Sequence, residues 1–273
     1  MAQLNTKKIG FIGAGNMARA IAAGIIQKGI VAADAILASD VAEHQRQDFT
    51  RITGAKATAS NTEVIDWADI VIVAVKPFNV SELCEEIRSR VTSKHLIVSI
   101  CAGVTTSFYE QELGNQPRVV RVMPNTPALI GCGATAVSAG RYATAEDVEL
   151  VLDLFRAVGV AIELPEAALD VVTGLSGSGP AYVFYFAEAL IAAGRKLGLP
   201  EEAATLLVKQ TLHGAARLAL ETEKSLEELR AAVTTKGGTT EAGLRALEAA
   251  GFKQAIEECV AAAARRSAEL AQH

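Results

Sequence analysis

The stretch Lys8-Ile9-Gly10-Phe11-Ile12-Gly13-Ala14-Gly15-Asn16-Met17-Ala18 decides the fold. An apolar run ends in Gly-x-Gly-x-x-Ala and passes directly into the helical pattern of Met17 to Lys28. A strand, a glycine turn and a helix in that order form the first unit of a dinucleotide-binding βαβ fold. Gly13 permits the tight turn, Gly15 lets the backbone approach phosphate, and Ala18 keeps the helix close to the sheet. A pyrophosphate would meet the helix N-terminus, so the cofactor-binding set opens with Ile12, Gly13, Ala14, Gly15, Asn16 and Met17.

Outward from this turn, short apolar runs alternate with helical patterns. Strands are expected at 8–12, 35–39, 55–58, 70–75, 96–100, 118–122, 134–138 and 160–164. Helices are expected at 17–28, 42–52, 79–90, 105–113 and 145–157. Ile70 to Val75 is an unbroken apolar run rich in β-branched residues, the mark of a strand buried on both faces. After Pro165 only helices are expected, at about 166–173, 180–197, 201–221, 226–233, 239–250 and 252–270. The fold class is therefore α/β, an N-terminal Rossmann-like doubly wound sheet over 1–164 followed by an all-α C-terminal domain over 165–273. The segment Ala181 to Ala193 is apolar on nearly every face and calls for burial all round. A helical domain of that size has too few neighbours to supply it, which predicts a homodimer, or a larger homo-oligomer built from dimers, with interlocked helices.

Composition removes several functions. The 273 residues are 50% hydrophobic and carry a net charge of -5 with no basic stripe, which argues against a nucleic-acid partner. No signal peptide is expected at the N-terminus, and the long apolar segment, interrupted by Glu188, is too short to span a bilayer. Cys84, Cys101, Cys132 and Cys259 are scattered without metal-ligand spacing, as suits a reduced cytoplasm and no metal site.

The remaining cofactor positions follow the C-terminal edge of the sheet. Ser39-Asp40 closes the second strand where a carboxylate usually meets the ribose hydroxyls, and no arginine follows immediately. A carboxylate about 4 Å from the extra phosphate of NADPH costs roughly 1 to 4 kcal/mol, so Asp40 predicts NADH unless it serves only to cap the helix from Ala42 onward. Ala74-Val75-Lys76-Pro77 follows the fourth strand, with Lys76 facing either phosphate or solvent, and Ile100-Cys101-Ala102 ends the next. In the second half, Val233-Thr234-Thr235-Lys236-Gly237-Gly238-Thr239-Thr240 runs into a helix, and an uncovered helix start with hydroxyls suits a small carboxylate. Reduction of a carbonyl needs an acid and oxidation of an alcohol a base, yet His44, His95, His213 and His273 form no constellation. His44 and His95 are expected on helix or loop surface. A protonated cyclic imine, already electrophilic at carbon, avoids that need.

Five motifs in order give the chain a family resemblance: Phe11 to Ala18, Ala74 to Pro77, Met123-Pro124-Asn125-Thr126-Pro127, Leu175-Ser176-Gly177-Ser178-Gly179-Pro180-Ala181-Tyr182, and Val233 to Thr240. Together they resemble the pyrroline-5-carboxylate reductases over essentially the whole length. The resemblance implies hydride transfer from NADH or NADPH to pyrroline-5-carboxylate, giving L-proline. It implies that the Gly237-Gly238-Thr239 backbone holds the substrate carboxylate and that Thr240, the catalytic candidate, hydrogen-bonds the ring nitrogen, with Thr235 retaining a hydroxyl beside them. Glu166 and the Ser178-Gly179-Pro180 turn match positions near the substrate; Asn61, Asn125 and Ile100 to Ala102 match positions near the cofactor. Two features depart from the family's habit. Thr235-Lys236 stands where Ser-Pro is common, and Asp40 favours NADH where many members use NADPH. The β-hydroxyacid dehydrogenases are the rival family, since Gly174, Gly177 and Gly179 fit their glycine motif. Their catalytic lysine and asparagine positions hold Val183 and Ala187 here. A dinucleotide-binding sensor without chemistry would need the helical half to lack a substrate site, against the threonine-glycine stretch.

Overall fold

The computed structural model describes residues 4–270. Eight strands form one sheet in the order β3-β2-β1-β4-β5-β6-β7-β8. They are β1 (Ile9–Ile12), β2 (Ile36–Ser39), β3 (Lys56–Thr58), β4 (Ile70–Val73), β5 (Leu96–Ser99), β6 (Arg118–Met123), β7 (Gly133–Ala139) and β8 (Gly159–Glu163). All adjacent pairs are parallel except β6 and β7, so the last two strands run against the first six. The order reverses between β1 and β4. In an open α/β sheet that reversal opens a crevice at the carboxyl ends of the strands.

Helices α1 (Asn16–Gln27), α2 (Glu43–Thr53), α3 (Asn61–Trp67), α4 (Val80–Ile87), α5 (Thr106–Leu113) and α6 (Ala145–Arg156) cover both faces. The burial is two-sided because side chains alternate along each strand. In β4, Ile70 and Ile72 join the core under α1 and α6, while Val71 and Val73 join the core under α3 to α5. Each such side chain contributes about 1.5–3 kcal/mol on burial. Helix α3 does not stand out by periodicity, yet its start is written in the sequence: Ser60 caps Glu63, accepting the Glu63 N–H at 3.1 Å. Gly10 makes room for it, since a Cβ there would sit 2.5 Å from Val64 Cγ1 and 2.8 Å from Ala68 Cβ.

The remaining helices are α7 (Leu169–Val172), α8 (Gly179–Lys196), α9 (Glu201–Glu221), α10 (Leu226–Ala232), α11 (Thr239–Ala249) and α12 (Phe252–Leu270). The chain divides into two compact units, one running to Ser178 and resuming at Ala261, the other being Gly179–Val260. Residues 165–178 and the end of α12 therefore go with the sheet, where the sequence pattern assigns them to the helical half. Polar side chains explain it. Glu166 accepts from the Thr106 N–H at 2.8 Å and from its hydroxyl at 2.7 Å. Buried Arg121 reaches Glu166 at 3.4 Å and Asp170 at 3.6 Å, and Ser267 of α12 donates to Asp170 at 2.7 Å.

Helix α8 has no buried residue in the single chain, contrary to the burial its sequence calls for; Phe184 and Tyr185 are 63% and 76% exposed. The second unit is too small to enclose it. Among the described residues, no helix is long and apolar enough to cross a membrane, and no cluster could hold a metal ion.

His95 is buried, not on the surface as its loop position suggests. Its Nδ1 accepts the Thr92 N–H at 2.9 Å, so the proton lies on Nε2, which donates to the Ile65 carbonyl at 3.1 Å. Burial holds its pKa below the ordinary 6.5. The neutral ring belongs to the folded state, so its stability contribution is complete above pH 6.5 and declines as pH falls below it. Urea unfolding at several pH values between 7 and 5 should show a steeper loss of stability in the wild type than in His95→Gln; equal slopes would contradict the assignment.

Candidate active site

The crevice at the reversal is closed to side chains at one glycine and open at the next. Gly13 has φ +99°, and a Cβ there would lie 2.6 Å from the Ala74 carbonyl oxygen. Its N–H donates to the Ser39 carbonyl at 2.8 Å, while the Ala74 N–H donates to the Ile12 carbonyl at 2.8 Å. The exits of β1, β2 and β4 are thus laced together by backbone. Gly15 has φ -71° and ψ -174°, a conformation any residue adopts, and a Cβ there would meet nothing within 4 Å. The fold does not need a glycine at 15, and a backbone left bare beside open space suits a ligand that must come close. Gly15 caps α1 with no side-chain hydrogen bond. Among the described residues, nothing accepts from the N–H groups of Asn16, Met17 and Ala18. These residues fit a dinucleotide pyrophosphate.

Asp40 sits over this loop. Its Oδ2 accepts the Ala14 N–H and its Oδ1 the Ala42 N–H, both at 2.9 Å. Ser39 donates to Asn61 Oδ1 at 2.7 Å, and Asn61 donates to Glu86 at 2.8 Å, which places Asn61 at the same sheet edge. Lys76 and Pro77 are exposed beyond β4, with Ala74 and Val75 half-buried. Beyond β5, Ile100 and Ala102 are half-buried and Cys101 is buried. The Cys101 thiol donates to the Val75 carbonyl at 3.3 Å, and burial pushes its pKa up, so it serves packing. Asn125 is 8% exposed and spends its amide internally, donating to Ser176 O at 3.0 Å and accepting the Ala134 N–H at 2.9 Å. That geometry ties two segments of the sheet unit together.

The glycine-rich segment near Ser178 is helical, not an open turn. Thr173–Gly177 forms one π turn, closed by the Ser178 N–H donating to Thr173 O at 2.8 Å. Such turns recur at functional sites. A Cβ on Gly177 would sit 2.4 Å from Met123 Cε, so packing sets that glycine. Gly179 and Pro180 open α8. Glu166, placed near the substrate by resemblance, has both oxygens engaged by Thr106.

In the helical unit, α11 starts as the sequence suggests, but its donors are distributed differently. Gly238 is the N-cap and makes no side-chain cap bond. The Gly237 N–H donates to Glu241 Oε2 at 2.7 Å, and the Gly238 N–H to Thr235 O at 2.9 Å. Among the described residues, no group accepts from the Thr239 and Thr240 N–H. Those two, with the exposed Thr240 hydroxyl, form the open cradle. Thr235 stands under it, since a Cβ on Gly238 would meet Thr235 Oγ1 at 2.4 Å. Among the described histidines, His44 and His213 are exposed on α2 and α9 and His95 is locked in its loop; His273 lies outside the described residues.

Arg46 is the residue that sequence reasoning misses. Six positions beyond Asp40, it folds back from the first turns of α2, and its Nη1 donates to the carbonyls of Asp40 at 2.7 Å and Val41 at 3.0 Å. The signal was its i+3 placement from the helix start at Glu43, which returns a long side chain toward the helix N-terminus.

A doubly wound sheet with an open glycine cradle at its switch point, followed by a helical unit with a second cradle, defines the class of nicotinamide-dependent oxidoreductases. Comparison with known proteins agrees. Residues 8–103 match the family described as NADP oxidoreductase, coenzyme F420-dependent, and residues 166–270 match pyrroline-5-carboxylate reductase dimerisation. The chain is 42% identical to a pyrroline-5-carboxylate reductase of Methanosarcina acetivorans over 98% of its length and 99% of that protein's. A solved pyrroline-5-carboxylate reductase from Coxiella burnetii superposes with a TM-score of 0.91 at 40% identity, over 97% of this chain and 99% of that one. The Plasmodium falciparum pyrroline carboxylate reductase, solved with NADP bound, superposes with a TM-score of 0.87 at 32% identity, over 98% and 99%. The chain belongs to the pyrroline-5-carboxylate reductase family.

The open space at Gly15 generates a test. Gly15→Val should fold, with a far-UV circular dichroism spectrum like the wild type's, and should bind NADH at least about tenfold more weakly in a fluorescence titration. Undiminished affinity would show that the ligand does not approach this backbone.

Proposed function

We propose that this protein reduces 1-pyrroline-5-carboxylate to L-proline, the last step of proline biosynthesis, with NADH or NADPH. The observation that carries the reading is the pair of uncovered helix starts, α1 for a pyrophosphate and α11 for a small carboxylate. The bound dinucleotide supplies a hydride for the ring carbon doubly bonded to nitrogen. The chain supplies placement. The Thr239 and Thr240 N–H groups and the positive end of α11 hold the substrate carboxylate. Gly237, Gly238 and Thr235 shape the loop that presents them, and Glu241 must release the Gly237 N–H before that group can join. Thr240 Oγ1 accepts the N–H of the protonated imine and holds it protonated while the carbon receives hydride and the C=N π pair moves onto nitrogen. No histidine is required, in keeping with where the described histidines lie. Orientation of two bound reactants can supply about 7–11 kcal/mol of the barrier.

We also infer a homo-oligomer built from dimers through the helical unit, acting in the cytoplasm. Support for the dimer comes from exposed Val183, Phe184, Tyr185, Leu206 and Leu207, an apolar surface beyond what single chains leave uncovered. Sedimentation at micromolar concentration should show a dimer or larger species; a monomer would contradict the inference.

Initial rates of NADH and NADPH oxidation with pyrroline-5-carboxylate test the reaction. Turnover with at least one is expected, and none in folded protein that binds a dinucleotide would overturn it. Thr240→Ala should lower kcat by about tenfold to a hundredfold, the range for loss of one hydrogen bond to a charged group, with NADH affinity unchanged. A change confined to the cofactor constant would contradict the role given to Thr240.

A further inference from the structure

The exit of β2 carries two opposite charges where the sequence suggests one. Asp40 presents a carboxylate whose oxygens each accept one backbone N–H, from Ala14 and Ala42. Those bonds draw off part of its negative field and leave lone pairs free for ribose hydroxyls. Arg46 lies beside it with its Nη1 anchored on the Asp40 and Val41 carbonyls. Its Nε and Nη2 have no partner among the described residues, so most of its donor fork remains available. The neighbouring side chains of α2 are occupied elsewhere: Glu43 accepts from Gln47, and His44 pairs with Gln45. Val41, between the two charges, is 90% exposed, so a ligand can lie across both.

We propose that Arg46 is a specificity-determining residue that pairs with the phosphate on the adenosine ribose of NADPH and offsets the repulsion from Asp40. The inference rests on the dinucleotide reading of the Gly13–Met17 loop. Its physical basis is the fixed guanidinium, which has already lost its side-chain freedom to the two carbonyls and so gives up little more on meeting a phosphate. Asp40 alone selects NADH; Asp40 with Arg46 admits both dinucleotides. The discrimination is between charges at a half-exposed site, so added salt weakens it.

The test is calorimetric binding of 2′,5′-ADP and 5′-AMP to the wild type, Arg46→Gln and Arg46→Lys, alongside kcat/KM for NADPH and NADH. Glutamine keeps a donor for the carbonyls and loses the charge; lysine keeps the charge. The expected result is about a tenfold loss of 2′,5′-ADP affinity in Arg46→Gln, near-complete recovery in Arg46→Lys, and 5′-AMP affinity unchanged throughout. The NADPH to NADH ratio of kcat/KM should fall in parallel, and the wild-type ratio should fall with added potassium chloride. Equal losses for both nucleotides would make Arg46 a support for the turn and overturn the proposal, as would no loss for either. Wild-type protein that binds NADH with Arg46→Gln unchanged would sink this inference alone. Wild-type protein that binds no dinucleotide would remove the functional reading and this inference together.

Discussion

The structure depends on a contact that admits no side chain. Gly13 leaves β1 with a positive φ and places its Cα against the carbonyl of Ala74 at the exit of β4. That approach fixes the crevice at the point where the strand order reverses, and it aims the following helix N-terminus across the crevice. The Ala14 N–H is then committed to Asp40, which brings the exit of β2 into the same surface. Bare backbone at Gly15 and uncovered N–H groups on α1 complete the surface on which the proposed dinucleotide would rest. Preorganisation of this kind is what the proposed reaction, in which placement of the reactants is the main demand, would draw on.

Much of this was legible in the sequence. All eight strands fall within two residues of their expected ends, because runs such as Ile70 to Val73 bury alternate side chains in two separate cores and permit no other pattern. The helices after Pro165 were legible for the same reason of periodicity. Helix α3 was not, since seven residues are too few for a period and its evidence is a cap, Ser60 with Glu63. His95 was misjudged because burial of a polar group depends on partners distant in sequence, here Ile65. The division of the chain into units moved for a similar reason, a network joining Thr106, Arg121, Glu166, Asp170 and Ser267 that no local pattern announces.

The site shows the same limit at finer scale. The motif Gly237-Gly238-Thr239-Thr240 marks a helix start, and the structure begins α11 there, at Thr239. Which N–H groups remain open depends on Glu241 and Thr235, whose bonds take the two glycine donors and leave the threonine ones. Arg46 was invisible as a partner of Asp40 because the helix, not the sequence interval, brings it back. The apolar faces of α8 and α9 carry the opposite lesson. Their composition calls for burial that one chain does not provide, and the shortfall is itself informative about assembly.

The most direct measurement of the central claim follows the hydride itself. Pyrroline-5-carboxylate would be incubated with the protein and NADH or NADPH deuterated at both positions of nicotinamide C4, and the product analysed by NMR and mass spectrometry. The account predicts proline carrying one deuterium, on the ring carbon that was doubly bonded to nitrogen. Deuterium elsewhere, or cofactor oxidised without labelled proline, would contradict direct transfer from the dinucleotide to the imine.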